Sequence, residues 1–172
     1  MKRSLVLAAG LAFFLAIQAD KVEAQVSFGP QVVLFDFDEI GIGARVDIGL
    51  TDTFGIEEGF FEGLFASLNA NYLLIDGVDS PLLINANANV PLSVDAGINP
   101  FVGAGINHYR FSSPTVNIGG IPVGGGSWSA SGLNLLAGLF FDLGAVPGFA
   151  ELQYSTTGSG FLSLTGGVLF GG

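Results

Sequence analysis

The sequence predicts an all-β chain, an eight-stranded antiparallel up-and-down transmembrane β-barrel behind a cleaved signal peptide. Three observations predict it. Long stretches alternate strictly between apolar and polar residues; the polar positions are mostly Gly, Asn, Ser and Thr; and an apolar run too short to span a bilayer stands at the N-terminus. Hydrophobic residues make up 49 % of the 172 and charged residues only 12 %, about half the charged share of a soluble domain. Such a chain is short of groups with which to coat a watery surface.

Lys2 and Arg3 precede the apolar run Leu5 to Ile17, and Val22-Glu23-Ala24 supplies small residues at the positions a signal peptidase reads. Thirteen apolar residues fall short of the roughly 20 a transmembrane helix needs, so residues 1–24 read as a secretory signal cut before Gln25. Residues 25–172 then form the barrel domain. Each strand follows from period-two alternation, because successive side chains point to opposite faces. The first, over 26–35, sets Phe28, Pro30, Val32 and Leu34 against Ser27, Gly29 and Gln31; Pro30 predicts an irregularity in its ladder. The second sets Ile40, Ile42, Ala44, Val46 and Ile48 against Gly41, Gly43, Arg45 and Asp47. The third sets Leu64, Ala66, Leu68, Ala70 and Tyr72 against Ser67, Asn69 and Asn71, and the fourth Leu82, Ile84, Ala86, Ala88 and Val90 against Asn85, Asn87 and Asn89. The fifth (101–111) opposes Val102, Ala104 and Ile106 to Gly103, Gly105, Asn107 and Tyr109. In the sixth (131–142), Leu133, Leu135, Ala137, Leu139 and Phe141 face away from Asn134, Gly138 and Asp142. The seventh (149–157) separates Ala150, Leu152 and Tyr154 from Glu151, Gln153 and Ser155, and the eighth (160–170) places Leu162, Leu164, Val168 and Phe170 on one face.

Alternation does not say which face points inward; the chemistry of the polar face does. A water-facing sheet carries roughly a quarter to a third charged residues, whereas Asn, Gly, Ser and Thr suit a cramped interior. The apolar face therefore belongs to lipid and the polar face to the lumen, and closure follows because lipid offers no partner to an open sheet edge. An even strand number puts both termini on one side, with Asp36–Glu39, Asp76–Ser80, Ser112–Ser129 and Thr156–Ser159 outside and 51–62, 91–100 and 143–148 as periplasmic turns. Interface aromatics follow from the same topology: Phe28, Phe141 and Phe170 at the periplasmic rim, Tyr72 and Tyr154 nearer the outer one. A secreted lipocalin-like binding barrel is the same pattern with the faces inverted.

The signal segment, the eight alternating segments, the Pro100–Ile106 run PFVGAGI and a last strand Leu162-x-Leu164-x-Gly166-x-Val168-x-Phe170 resemble the small bacterial outer-membrane barrels of the OmpA N-terminal-domain and OmpX type. The resemblance covers residues 25–172 and is one of pattern. It implies a cell-surface protein integral to the Gram-negative outer membrane, in contact with its lipids and lipopolysaccharide. It also implies that the barrel-assembly machinery recognises the C-terminal strand through Phe170, although Gly171 and Gly172 follow here where the family stops at the aromatic.

Few residues carry chemistry. Arg45 falls on the lumenal face, where an unpaired ion is costly; Asp47, Asp142 and Glu151 are the carboxylates available to it, and a salt-bridge cluster with Glu151 as favoured partner is expected. His108 is the single histidine and stands in His108-Tyr109-Arg110-Phe111-Ser112-Ser113, without a local His-x-Ser arrangement, so the alternative of a lipid-modifying enzyme lacks an assembled base and nucleophile. Gly103-Ala104-Gly105 lacks the third glycine and following helix of a dinucleotide fingerprint. Gly119-Gly120 and Gly124–Gly126 read as a mobile outer loop, with Trp128 near its base at the interface. Asp36, Asp38 and Glu39, and Asp76 with Asp79, read as solvated acidic loops. The absence of cysteine excludes disulfides and thiolate sites, and a formal net charge of −10 excludes the basic footprint of a nucleic-acid binder. The expected protein is a monomer with no cofactor, no metal and no catalysis, structural or interactive at the surface. Its lumen is filled by side chains such as Leu73, Leu136 and Phe140 and is no wide, porin-like pore.

Overall fold

A computed structural model describes residues 26–171 except 57, 76–78 and 95–97; the segment read as a signal peptide lies outside the described residues. The strands are β1 (Val26–Phe35), β2 (Glu39–Gly49), β3 (Phe65–Leu73), β4 (Asp79–Pro91), β5 (Asn99–Ile118), β6 (Ile121–Asp142), β7 (Pro147–Ser155) and β8 (Phe161–Val168). A last two-residue strand, β9 (Phe170–Gly171), continues β8 in the same register along β1. Each of β1 to β8 pairs antiparallel with its sequence neighbour among them, and β1 pairs with both β2 and β8, so an eight-stranded sheet closes on itself. One helical turn, α1 (Thr51–Phe54), follows β2.

Closure has a weak point where the sequence placed one. Pro30 pairs with Ala44 of β2, but the ladder to the last strand is interrupted beside it, running from Gln31 opposite Gly167 and resuming at Phe28 opposite Phe170. Proline has no N–H to give, and here the chains come so close that a Cβ on Gly29 would collide with the Val168 carbonyl.

The faces separate as alternation requires. Ile42, Leu68, Ile84, Ile106, Leu133, Leu135, Leu152 and Leu164 are exposed on the outer wall, whereas Gln31, Asn69, Asn71, Asn85, Asn87, Asn89, Asn107, Asn134 and Gln153 are buried in the lumen. Asparagine and glycine are poor strand formers; they occur here because the two fit together. Added Cβ atoms on Gly43, Gly103 and Gly105 would strike Asn71, Asn89 and Asn87, the residues opposite them, and one on Gly138 would strike the Phe101 ring. Gly138→Val should overpack this layer and cost about 1–3 kcal/mol, read as a lower urea midpoint of the refolded protein.

Two features depart from the sequence expectation. Residues 112–129 are not a mobile loop: β5 and β6 stay paired up to Ile118 opposite Ile121, so the hairpin stands above the barrel as a ribbon. Its turn, Gly119-Gly120, has φ of 62° and 86°, the left-handed pair that a two-residue hairpin turn needs. Trp128 does not turn to the outer wall; it packs against Phe111 at 5.3 Å and Tyr109 at 6.0 Å, with Phe35 next to Tyr109 and Phe161, as an aromatic cluster at the mouth of the lumen. The connection after β2 agrees with the expected turn over 51–62: it runs to Leu64 through α1 and exposes Phe54, Phe60 and Phe61 at the terminal end.

Candidate functional site

The lumen is built in layers. Near the termini, Phe65, Phe101, Phe140 and Leu136 pack together, with ring centroids 4.8–5.6 Å apart. Above them lies Arg45, fully buried, its guanidinium carbon 4.5 Å from the Phe149 ring centroid and 5.7 Å from that of Phe101. Arg45 Nε donates to Asp47 Oδ1 and Nη1 to Glu151 Oε2, both at 2.7 Å. Asp47 reaches it because residues two apart on a strand share a face; Glu151 reaches it across the lumen from β7. Two carboxylates and two π faces surround one cation, so desolvation is offset from every side that carries a partner. Arg45 Nη2 and Asp47 Oδ2 are nevertheless buried without a partner among the described residues.

Asp142 does not belong to this cluster. It lies on the lumenal side of β6 by alternation, but at the last position of the strand, where it is exposed and accepts the Gly144 N–H at 2.7 Å. Parity was right and depth was wrong: a strand-end residue reaches the turn before it reaches the lumen.

Above Arg45 a network of amides crosses the barrel. Gln31 Nε2 donates to Asn71 Oδ1 at 2.6 Å, Asn85 Nδ2 to Asn69 Oδ1 at 2.6 Å, Gln153 Nε2 to Asn85 Oδ1 at 3.1 Å and Asn134 Nδ2 to Asn87 Oδ1 at 2.9 Å. Asn107 Nδ2 donates to Asn134 Oδ1 and to Ser155 Oγ, and Thr157 Oγ1 donates to Asn107 Oδ1. Leu73, Leu83 and Val33 close the next layer below the aromatic mouth. Buried polar networks are favourable only when satisfied, so Asn134→Ala, which strands partners on β4 and β5, should cost about 1–3 kcal/mol in urea unfolding.

On the outer wall, Tyr72 pairs with Ile42 and Leu82, Tyr154 with Leu135 and Leu162, Phe28 with Phe170 across the closing seam, and Phe141 with Gly148. All five point outward by register: Phe28, Phe141 and Phe170 toward the terminal end, Tyr72 and Tyr154 toward the other. One contact escaped the linear sequence. His108 of β5 stands opposite Ser131 of β6, with Nδ1 3.0 Å from Ser131 Oγ, on the exposed outer wall. The signal was there in the Gly119-Gly120 turn, which sets this register, but only once those glycines are read as a hairpin.

Among solved structures, the chain is similar to the N-terminal β-barrel domain of Pseudomonas aeruginosa OprF, with 17 % identity and a TM-score of 0.60 over 86 % of this chain and 100 % of that one. It is also similar to a de novo designed transmembrane β-barrel (10 % identity, TM-score 0.53, 89 % and 98 % covered) and to Ail, the attachment invasion locus protein of Yersinia pestis (18 %, 0.51, 86 % and 97 %). No protein-family model matches this chain, and no curated protein does. The fold is that of the small eight-stranded outer-membrane barrels of the OmpA N-terminal-domain and OmpX type.

Proposed function

We propose that residues 1–24 are an export signal and that residues 25–172 are a monomeric protein integral to a bacterial outer membrane. In this reading the terminal end faces the periplasm, and the β5–β6 ribbon and short turns meet the outside. The role is structural or one of surface interaction. The observation that carries it is the inversion of the usual order of burial: exposed Ile, Leu and Val around the whole wall, buried Asn, Gln and Arg within. In water such a wall is a large apolar patch; against acyl chains it is the expected lipid face. The filled lumen supports a closed barrel and not a wide diffusion pore. In this reading Phe170, which pairs with Phe28 where the barrel closes, is the residue through which the barrel-assembly machinery recognises the C-terminal strand.

Membrane-extracted protein should migrate faster on a gel before boiling than after, and should stay with membranes through a carbonate wash. Recovery as a monodisperse species in plain buffer would overturn the proposal. The His108–Ser131 pair is the arrangement nearest to a base and a nucleophile, yet among the described residues no carboxylate or amide orients the second ring nitrogen, as a triad requires. Expression should therefore leave lipid A mass spectra unchanged; a deacylated species that disappears in Ser131→Ala would favour the enzyme instead.

A further inference from the structure

We infer that the outer wall of the β5–β6 hairpin, just beyond the apolar band, binds the phosphate group of a membrane lipid. Arg110, His108, Ser129 and Ser131 supply the polar ligands, and the adjoining groove takes an acyl chain. The inference rests on the membrane reading above.

Along this hairpin the outward pairs run Val102/Ala137, Ala104/Leu135 and Ile106/Leu133, and then change character to His108/Ser131 and Arg110/Ser129. Successive outward pairs are stacked on one face, so two rows of donors begin where the hydrocarbon-like wall stops. All four of these side chains are exposed. Of the five cations in the chain, Lys2, Arg3 and Lys21 precede the barrel and Arg45 is buried in its lumen. Arg110 is thus the one exposed cation of the described barrel, in a protein with a formal net charge of −10. Among the described residues, exposed charge is otherwise negative, and the exposed cation that can attract an anion lies at the upper edge of the lipid-facing wall.

Arg110 has no ion pair among the described residues, and its planar fork matches two phosphate oxygens. His108 uses Nδ1 toward Ser131, and no described residue bonds Nε2. Directly beside these groups is a groove of about 440 Å³ whose walls include Ile84, Ala86, Ile106 and Leu133 and whose rim includes His108 and Ser131. An apolar cleft ending in a few convergent polar groups is the usual form of a site for an amphiphile. Most of its lining, Ile84, Ala86, Ile106, His108, Ser131 and Leu133, belongs to the outer wall, with Asn107 and Gly132 behind it, which points to a lipid and not to a free anion.

The test is native mass spectrometry of the protein extracted in a non-ionic detergent. The probes are dimyristoyl phosphatidic acid, dimyristoyl glycerol with the same chains, and inorganic phosphate. Phosphatidic acid should be retained about tenfold more tightly than the glyceride, and Arg110→Gln should remove about that factor. Arg110 lies outside the lumen, so the variant should keep its heat-modifiable migration. On unaltered protein, the His108 ring resonances should shift with phosphatidic acid and not with dimyristoyl glycerol. Equal retention of the two lipids, an Arg110→Gln variant that binds like the parent, or displacement of the lipid by millimolar inorganic phosphate overturns the site. A chain that stays in buffer without detergent ends the membrane reading; one that inserts yet treats both lipids alike ends only this inference.

Discussion

Arg45→Met should lower the unfolding free energy by about 3–5 kcal/mol, the penalty for leaving buried carboxylates without their cation. Both partners would remain in place: Asp47 and Glu151 are buried, each 2.7 Å from the guanidinium, and Asp47 already has one oxygen without a partner. Methionine fills much of the volume between Phe101 and Phe149, so the loss reports charge and not a cavity. The triple variant Arg45→Met/Asp47→Leu/Glu151→Met should recover most of the stability, because replacing a whole buried ion cluster by apolar groups is often neutral. Urea-dependent loss of the fast-migrating gel form measures both. A single-variant loss below about 1 kcal/mol, the scale of an exposed pair, would show that water reaches the cluster.

Leu152→Arg addresses the other face. Leu152 lies midway along the outward side of β7 and is 45 % exposed. In water, a substitution at so exposed a site changes stability by roughly 0.5 kcal/mol or less. Near the middle of a bilayer, an arginine on the lipid face of a barrel costs about 2–4 kcal/mol. Refolding of the variant into phospholipid vesicles should show a loss in the second range, with Leu152→Ala well below it. A cost within the first range would mean that this wall faces solvent.

The faces of the barrel were legible because period two is a direct consequence of backbone geometry, and because Asn, Gly and Ser on the polar side distinguish a lumen from a solvated surface. The Arg45–Glu151 contact was legible for a physical reason as well: a lumenal cation needs a carboxylate, and few were on the right face. Depth was harder to read than side. Asp142 has the parity of the lumen but sits at a strand end, and Trp128 has inward parity above the barrel, where the same residue type also suits an interface. The ribbon was hidden by composition, since Gly-, Ser- and Thr-rich sequence lacks the apolar alternation that marks a strand inside the membrane band. Reading Gly119-Gly120 as a type I′ turn would have extended β5 and β6, and with them the pairing of His108 with Ser131.

The side of the wall that meets lipid can be read on the unaltered protein by methyl NMR in phospholipid nanodiscs containing a lipid with a nitroxide on its acyl chain. The methyl signals of Leu68, Ile84 and Leu135, all exposed on the outside, should broaden strongly, while those of Leu73, Leu83 and Leu136, buried inside, should stay sharp. Broadening of the second set with sparing of the first, or no broadening of either, would contradict the account.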